Sequence, residues 1–332
     1  MTKNLIFFCD EINLPDYDKY GTQRVISFMR QLIENQGFYR PWNNEWIRLC
    51  RIQFVAACNP SSDPGRKILT DRFLRHTCVL YVDYPSNISL YQIYLVFTKS
   101  LFRLNYSIHH YAEALTKAMV EFYSASQAKF KPEIQPQYVY SPREMSRWVR
   151  GIGESIHNRN DITLQELVRI WTHEAIRLFS DRLITEQDKI WTFETLCQIA
   201  KTHFHDVDLS SSLKQPILFS KWFTNDYVSV DREQLHNYIE ARLKCFYEEE
   251  MDTELVLFDD LLDQVLRIDR VFRQSQGHIL MIGVSGCGKT TLTRFIAWMN
   301  GLSVFDVQVH SNYTINNFDE DLRSVLHRAA VE

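Results

Sequence analysis

A glycine-rich loop near the end of the chain has the residue pattern with the clearest chemistry. Residues 283–290 read GVSGCGKT and fit the pattern G-x-x-x-x-G-K-T. Glycines let consecutive backbone N–H groups turn toward phosphate oxygens at the positive end of the following helix. The lysine adds a positive charge, and the threonine hydroxyl is a ligand for Mg²⁺. The loop predicts a site for ATP or ADP with Mg²⁺. Its residues are Gly283, Val284, Ser285, Gly286, Cys287, Gly288, Lys289, Thr290 and Thr291.

A second set of polar side chains follows short apolar segments in the first part of the chain. Residues 5–9 predict a buried strand, and Asp10 and Glu11 come directly after it. A carboxylate at such a strand end can bind Mg²⁺, and its neighbour can polarise an attacking water. Asn59 ends the next predicted core strand, where its amide could hold the water or a γ-phosphate. An ordinary acidic strand end and a turn-forming Asn before Pro60 are the alternatives.

Three arginines are further candidates for contacts with phosphate. Arg72 and Arg75 lie on a short predicted helix, and either could stabilise transition-state charge at a neighbouring γ-phosphate. Arg143 follows Ser141 and Pro142, which predict a helix with a serine cap and proline at its first position. A rigid helix start would present Arg143 toward a phosphate. The alternative for Arg72 and Arg75 is that they are solvated or form salt bridges. The alternative for Arg143 is that it pairs with nearby acids.

Strands and helices alternate in the part of the chain that holds the acidic pair. Apolar runs predict strands at 5–9, 51–58 and 77–82, the first two buried. Helical spacing predicts helices at 20–36 and 69–75, the longer one with an apolar face that includes Phe28 and Met29. This alternation indicates a parallel α/β sheet.

After Pro85 the pattern changes to helices alone, until the glycine-rich loop. Candidate helices span 88–104, 111–130, 141–157, 163–183, 187–204 and 231–247. An acidic hinge at 248–252 follows, and then a helix at 258–274, a strand at 278–283 and a helix at 289–299. The predicted fold class is α/β with a large all-α region, divided into regions 1–86, 87–247 and 248–332.

The two candidate half-sites occur in the reverse of the usual order. A P-loop domain normally runs strand, loop and helix, and then a second strand whose terminal Asp completes the magnesium site. Only 42 residues follow Thr290, and Asp10 lies 279 residues before Lys289. The simplest interpretation is the end of one nucleotide-binding module and the beginning of the next, both incomplete. We therefore expect a piece of a tandem array, from a partial gene product or a cut fragment.

Composition restricts the partners and the compartment. The formal net charge is −4, so no overall basic field attracts nucleic acid or anionic membrane. No apolar run approaches the roughly 18 residues of a transmembrane helix, and the N-terminus does not resemble a signal peptide. The seven cysteines include no C-x-x-C pair, which favours reduced thiols in the cytosol.

Longer stretches resemble the third and fourth AAA+ modules of dynein heavy chains. The resemblance to the third module lies in residues 8–15, 18–21, 57–60, 63–66, 72–76 and 140–144, and that to the fourth in 276–291 and 294–301. Residues 10–15, Asp-Glu-Ile-Asn-Leu-Pro, are more similar to cytoplasmic than to axonemal members. The resemblance covers essentially the whole chain in the right order, and it accounts for the reversed order of the motifs.

The resemblance also implies a role for each candidate residue. Asp10 and Glu11 correspond to the Walker B pair of the third module, Asn59 to its sensor 1 and Arg143 to its sensor 2. Arg72 corresponds to the arginine finger that faces the second module's nucleotide, with Arg75 as the alternative. Residues 283–291 correspond to the Walker A loop of the fourth module, and region 87–247 to the helical lid of the third.

Membership of this family implies a ring of six AAA+ modules that moves toward microtubule minus ends and hydrolyses ATP mainly at the first module. The third and fourth modules would be regulatory, and this piece alone is expected to be inactive. The implied partners are neighbouring modules, and microtubules and accessory chains through parts absent here, in the cytoplasm. The alternatives are another giant tandem AAA+ remodelling ATPase and a nucleotide-binding scaffold without turnover.

Overall fold

The computed structural model describes residues 4–103, 105–157, 159, 161–205, 207–224, 226–250, 256–274 and 277–331. The chain forms two compact units, Met1–Asp83 and Tyr84–Glu332. The proposed division at residue 247 lies inside the second unit and stays a prediction. None of the helices among the described residues combines the length and the apolar character needed to cross a bilayer.

The first unit is built on a pair of parallel strands. Its elements are β1 (Leu5–Cys9), α1 (Arg24–Asn35), β2 (Gly37–Tyr39), β3 (Trp46–Arg48), β4 (Ile52–Ala56) and α2 (Asp71–Leu74). Strands β1 and β4 pair in parallel, with Leu5 opposite Ile52 and Cys9 opposite Ala56. The predicted strands at 5–9 and 51–58 are thus confirmed. The antiparallel pair of β2 and β3 was not predicted.

Two predictions for this unit are wrong. Residues 77–82 form no strand, and Val79 to Val82 are at least 70% exposed. Strands β1 and β4 are not buried as predicted, because Leu5 and Phe8 of β1 are each 59% exposed and Val55 of β4 is 40% exposed. Both errors have one physical cause. A strand forms only where another strand pairs with it, and it becomes buried only where other elements cover its faces. Among the described residues of this unit, no strand pairs with residues 77–82, and no layer covers the exposed side chains of the pair of β1 and β4.

A small core lies between the strand pair and the two helices. It consists of Ile12, Ile26, Met29 and Phe73, each at most 6% exposed. Helix α1 starts at Arg24, four residues later than predicted, and Phe28 of its predicted apolar face is 46% exposed. The Phe28 ring contacts the ring of Phe38 at a centroid distance of 5.8 Å.

The second unit is mostly helical. Its elements are α3 (Asn87–Phe102), α4 (Ala112–Lys129), α5 (Pro142–Ile156), α6 (Leu164–Ala175), α7 (Glu186–His203), α8 (Leu209–Ser212), β5 (Phe219–Ser220), β6 (Val228–Ser229), α9 (Arg232–Glu250), α10 (Asp259–Phe272), α11 (Lys289–Met299) and α12 (Ile315–Val331). All eight helices predicted here are present, with ends that shift by a few residues. The predicted helix 163–183 divides into α6 and a π-helical turn, Ile176–Ser180.

Two further predictions fail in this unit. Residues 248–250 belong to α9 and do not form a hinge, while 251 and 252 lie outside the described residues. Residues 278–283 form no strand, and Leu280 and Ile282 are 84% and 75% exposed. As at 77–82, no neighbouring strand among the described residues pairs with this extended segment. Helices α8 and α12 and the antiparallel pair of β5 and β6 were not predicted.

Local capping and aromatic packing fix the helices of the second unit. Helix α5 begins with the predicted serine cap and proline, and Glu144 completes a capping box with Ser141. Trp148 of α5 stacks on Trp171 of α6, with ring centroids 5.6 Å apart, and both side chains are fully buried. A second core joins α9, α10 and α11 and includes Phe246, Leu262 and Phe295. The helix after the glycine-rich loop is therefore anchored by its apolar face.

A buried ion pair connects α10 to two earlier helices. Arg270 donates to both carboxylate oxygens of Glu174, each at 3.1 Å, and to Glu154 at 2.9 Å. The side chains of Arg270 and Glu174 are 7% and 3% exposed. Burial opposes the charged form of Arg270 and is the largest single effect. The charges of Glu174 and Tyr227 and the hydrogen bonds to Glu174 and Glu154 together outweigh it and raise the pKa of Arg270 above its ordinary value. A Cβ at Gly151 would lie 2.1 Å from the Glu174 carboxylate, so glycine is needed there.

Arg270→Met is expected to lower the free energy of unfolding of the second unit by about 3–5 kcal/mol, because Glu174 stays buried without its partner. Urea unfolding of the purified chain, followed by circular dichroism, measures the change. Lys244→Met is the matched control, since Lys244 pairs with Glu240 at 3.0 Å on an exposed helix face. It should cost less than about 1 kcal/mol. Equal effects of the two substitutions would contradict the role of the buried pair.

Candidate nucleotide-binding sites

The carboxyl ends of β1 and β4 form the first candidate half-site. The parallel pairing continues past both strands, since Ala57 N–H donates to Cys9 C=O at 2.9 Å. Ile12 N–H then donates to Ala57 C=O at 3.1 Å. Residues that follow the two strands therefore lie at the same edge of the sheet. The edge that carries Asp10 and Glu11 is thus also reached by the backbone of Asn59, whose carbonyl accepts from Asn13.

Glu11 has the most constrained geometry at this edge. Its φ is 53°, in the left-handed region that a residue with a Cβ seldom adopts. Its Oε1 accepts a hydrogen bond from Arg66 Nη2 at 2.9 Å, and its backbone N–H donates to Asp10 Oδ1 at 3.1 Å. Within the described part of the chain, Glu11 Oε2 is buried and has no hydrogen-bond partner. Asp10 itself is exposed and open to a cation.

A buried asparagine holds the neighbouring loop against this edge. Asn13 is 2% exposed, and its Nδ2 donates to the backbone carbonyl of Asn59 at 2.8 Å. Its own carbonyl accepts from Lys67 N–H at 2.9 Å. The loop that connects Asn59 to Arg66 is thus fixed at both ends. Sequence reasoning gave no role to Asn13 or Arg66, and no local signal could have done so, because Arg66 is 55 residues from Glu11.

The two arginines of α2 differ in their surroundings. Arg75 makes an ion pair with Glu34 at 3.5 Å and donates from Nε to His76 at 3.2 Å. Arg72 is exposed, and among the described residues it makes no ion pair. An arginine that reaches a neighbouring phosphate must be free of internal partners. Arg72 is thus the one of the two without an ion pair among the described residues, and its role at a neighbouring phosphate stays a prediction.

The glycine-rich loop has the backbone conformation of an anion cradle. Gly286 and Gly288 have φ values of 80° and 75°, which suit glycine, and a Cβ at Gly286 would meet no atom within 4 Å. Helix α11 begins directly after the loop, at Lys289. Within the described residues, the backbone N–H groups of 285–288 make no backbone hydrogen bond. Unpaired donors at a helix N-terminus are suited to phosphate oxygens.

The lysine of the loop lies across the cradle. Lys289 Nζ donates to the carbonyls of Gly283 and Val284, at 3.0 and 2.7 Å, and to Cys287 Sγ at 3.4 Å. Its ammonium is therefore at the loop, within reach of an anion that the loop would bind. Thr290 is exposed on the first turn of α11, so its hydroxyl is available to a cation.

The residues present fit a nucleotide with Mg²⁺. The described residues contain no cluster of three His, Cys, Asp or Glu side chains that could hold a metal ion alone. Mg²⁺ in phosphate sites needs only one or two protein oxygens besides phosphate and water. The Thr290 hydroxyl at the loop and the Asp10 carboxylate at the strand edge are such oxygens. They belong to different units of the chain.

Arg143 lies in the second unit, at the second position of α5. It is exposed, and its backbone N–H donates to Ser141 Oγ at 3.3 Å. The alternative was that Arg143 pairs with nearby acids, and among the described residues it does not. The adjacent Glu144 accepts hydrogen bonds from Arg147 and Arg182 instead. Its guanidinium makes no ion pair with another described residue.

Three family models match the chain, and each describes a part of dynein. The model "P-loop containing dynein motor region" matches residues 1–85. "Dynein heavy chain, ATPase lid domain" matches residues 97–189. "P-loop containing dynein motor region D4" matches residues 253–332. The matches include the acidic strand edge in the first model and the glycine-rich loop in the third.

Curated proteins named "Dynein heavy chain, cytoplasmic" are similar to almost the whole chain. The protein of Drosophila melanogaster is 58% identical over 98% of this chain. Those of Caenorhabditis elegans and Dictyostelium discoideum are each 56% identical over 98%. In all three comparisons the match covers 7% of the relative's own length. The chain thus spans about 7% of the length of these relatives.

Proposed function

The chain belongs to the dynein heavy chain family as a segment of its AAA+ motor region, and we propose that it contributes to two different nucleotide sites. Asp10, Glu11 and Asn59 complete the site of one module, the third of the ring. Residues 283–291 begin the site of the following, fourth module. Both modules are incomplete in this chain, and region 87–247 is the lid of the third.

The observation that carries this proposal is the common edge of β1 and β4. That edge puts an exposed carboxylate, Asp10, next to a second carboxylate, Glu11, and the backbone of Asn59. Asp10 would hold Mg²⁺, Glu11 would polarise the attacking water and the Asn59 amide would orient it. Arg143 would contact phosphate from the lid, and Arg72 would stabilise transition-state charge at the preceding module's nucleotide.

The second half-site supports binding more directly than hydrolysis. The loop supplies N–H donors, Lys289 supplies a charge for the β- and γ-phosphates and Thr290 supplies an oxygen for Mg²⁺. Bound Mg²⁺ would neutralise negative charge on the phosphoryl group that is transferred. We propose a regulatory nucleotide site here, because the loop corresponds to the fourth module of dynein heavy chains and the resemblance implies that role for this module.

The whole protein would be an ATP-driven, minus-end-directed microtubule motor of the cytoplasm, with this segment in a regulatory part of its ring. Its partners would be neighbouring AAA+ modules of the same heavy chain, and microtubules and accessory chains bound elsewhere. Similarity to dynein heavy chains over 98% of the chain does not favour a remodelling ATPase of another type. The other alternative is a scaffold that binds nucleotide without turnover. It differs from the proposed function only in lacking the hydrolysis that Glu11 would support.

The purified chain is expected to hydrolyse ATP far more slowly than about 1 s⁻¹, the low end of ordinary enzyme turnover. The physical reason is that phosphate cradle, Mg²⁺ carboxylate and water-polarising group must meet in one site, whereas here they belong to two. A steady-state phosphate-release assay measures this, with a full-length heavy chain that carries the segment as the positive control. Turnover near 1 s⁻¹ by the purified chain, abolished by Glu11→Gln, would contradict the division into two sites.

A further inference from the structure

We propose that Asn13 is a positioning residue that holds Asn59 in place for ATP hydrolysis at the third module. The side-chain amide of Asn13 takes the place of a backbone N–H that would otherwise donate to the Asn59 carbonyl. The proposal rests on the proposed function, in which the Asn59 amide orients the attacking water. It adds the residue that keeps Asn59 in register with the acidic end of β1.

The backbone ladder between the segments of β1 and β4 ends shortly after the two strands. Its last bond runs from Ile12 N–H to Ala57 C=O, at 3.1 Å. The first segment then turns away, because Glu11 has a φ of 53° and its carbonyl accepts from Leu14 N–H at 3.0 Å. Within the described part of the chain, no backbone N–H donates to the carbonyl of Asn59.

The side chain of Asn13 supplies the donor that the backbone lacks at this point. Its Nδ2 donates to Asn59 C=O at 2.8 Å, and the two residues are 46 positions apart along the chain. In a regular parallel pair, the carbonyl two residues after Ala57 would accept from a backbone N–H of the neighbouring segment. Pro60 follows and has no N–H with which to add a backbone bond. Among the described residues, Asn13 is therefore what ties Asn59 to the segment after β1.

The donor of this bond is shielded from solvent. Asn13 is 2% exposed, and its own backbone carbonyl accepts from Lys67 N–H at 2.9 Å. Its Oδ1 has no hydrogen-bond partner among the described residues, so the side chain is held there by its bond to Asn59 alone. Loss of a buried donor leaves its partner unpaired, which costs more than loss of a solvated contact. The amide thus holds the Asn59 backbone at one place.

The register of the two strands relates Asn59 to Asp10. Phe8 lies opposite Val55 in the parallel pair. Asp10 comes two residues after Phe8, and Asn59 comes four residues after Val55. Because side chains alternate between the two faces of a sheet, both return to the same face while the chain stays extended. A residue before proline favours extended backbone, which suits Asn59. Asp10 and Asn59 are both exposed.

The part of Asn13 in the reaction is indirect. The Asn59 amide has a carbonyl that accepts and an NH₂ group that donates, so it can hold a water and a phosphate oxygen together. Both contacts depend on the place of the Asn59 backbone beside Asp10. A displacement of about 1 Å can cost on the order of 10²-fold in rate. Asn13 touches neither water nor phosphate, and it acts by preventing such a displacement.

The test uses a full-length heavy chain that carries this segment. Alanine at the P-loop lysines of the other modules, Lys289→Ala among them, blocks nucleotide binding there. Single-turnover hydrolysis and ATP affinity are then measured separately. Asn13→Leu keeps the approximate volume of the side chain and removes the donor. It is expected to lower the hydrolysis rate constant about 10- to 100-fold, with ATP affinity nearly unchanged. A parallel loss of affinity would mean that Asn13 supports the whole site, which overturns the proposal.

Asn59→Ala shows whether Asn13 acts through Asn59. Alone, this variant should lower the rate constant at least as much as Asn13→Leu does. Asn13→Leu added to Asn59→Ala should cause no further loss, because both changes remove one function. A further loss as large as that of Asn13→Leu alone would show that Asn13 acts on another part of this edge. The proposal would then be wrong.

Gln23→Leu is the matched control. Gln23 is 5% exposed, and its Nε2 donates to the backbone carbonyl of Pro15 at 2.9 Å. The substitution therefore removes the same kind of buried bond from the same unit, and it should leave the hydrolysis rate unaltered. An equal loss of rate in Gln23→Leu and Asn13→Leu would mean that general loosening of this unit slows hydrolysis. Asn13 would then have no positioning role.

The remaining outcomes separate this proposal from its premise. If Glu11→Gln and Asn59→Ala both hydrolyse ATP at the unaltered rate, the proposed function fails. If both are slow while Asn13→Leu hydrolyses at the unaltered rate, only the role of Asn13 is wrong. If Asn13→Leu does not fold, Asn13→Ala decides, since it also lacks the donor. An unaltered rate in Asn13→Ala would contradict the proposal, and a lower rate with ATP affinity retained would support it.

Discussion

Glu11→Gln in a full-length heavy chain that carries this segment is expected to retain ATP at the third module and to lose its hydrolysis there. The amide cannot take a proton from water, whereas Asp10, in the role proposed for it, would still bind Mg²⁺. General-base catalysis contributes about 10²- to 10⁴-fold, and the loss should be of that order. Nucleotide extracted after gel filtration should contain more ATP, relative to ADP, than that of the unaltered protein.

This trapped state should also change movement. If the third module regulates the ring, a heavy chain held in its ATP state there should release microtubules slowly and move at lower velocity. Glu45→Gln is the matched control, because Glu45 is an exposed carboxylate of the same unit that pairs with Arg40. Single-molecule tracking provides both quantities. Unchanged velocity and release, with ATP retained at the site, would count against Glu11 as the Walker B residue and against the regulatory role.

Lys289→Ala in the same heavy chain is expected to weaken nucleotide binding at the fourth module without stopping movement. The substitution removes the charge that would meet the β- and γ-phosphates. It also removes the hydrogen bonds to the carbonyls of Gly283 and Val284 that hold the loop. Loss of one charged hydrogen bond corresponds to about 10- to 100-fold in affinity. Binding of a fluorescent ATP analogue gives the affinity.

The control for this variant is Lys244→Ala, an exposed lysine of the same unit, which should leave affinity and movement unchanged. Movement of the Lys289→Ala protein on microtubules separates a modulating site from a driving one. Slower or less regulated movement agrees with a modulating site. Complete loss of movement, with the protein folded, would mean that the fourth module drives the motor.

The helices of this protein could be predicted well because their signals are local. Ser141 and Pro142 define the start of α5 by their types alone. Helix α11 has the predicted bounds, since the loop before it ends at a glycine with positive φ and its apolar face is periodic. Capping, periodicity and glycine conformation act over a few residues, so the sequence contains the information that determines them.

The strands were predicted less well, because a strand depends on residues far along the chain. Residues 5–9 and residues 77–82 are both mainly apolar, and both include β-branched or aromatic side chains. Only the segment 5–9 has a strand beside it. Composition cannot distinguish an extended segment that pairs from one that does not. The same limit applies to 278–283, before the glycine-rich loop.

The candidate sites show the same division between local and long-range information. The loop at 283–291 is a contiguous motif, and Gly286 and Gly288 have positive φ values that suit glycine. The carboxylates at 10 and 11 were correctly expected at a strand end. The contact of Glu11 with Arg66, across 55 residues, was not expected. It results from the way in which Asn13 fixes a loop, and no spacing rule describes that.

The central claim is that Glu11 and Lys289 serve different nucleotides, and the amount of trapped ATP tests it most directly. The measured quantity is the ATP retained per heavy chain after gel filtration. The excess of the Glu11→Gln protein over the unaltered protein is determined with and without the second substitution, Lys289→Ala. Two separate sites predict that the excess ATP persists in the double variant. Loss of that excess, with the protein folded, would mean that Lys289 binds the nucleotide that Glu11 hydrolyses, and the claim would be wrong.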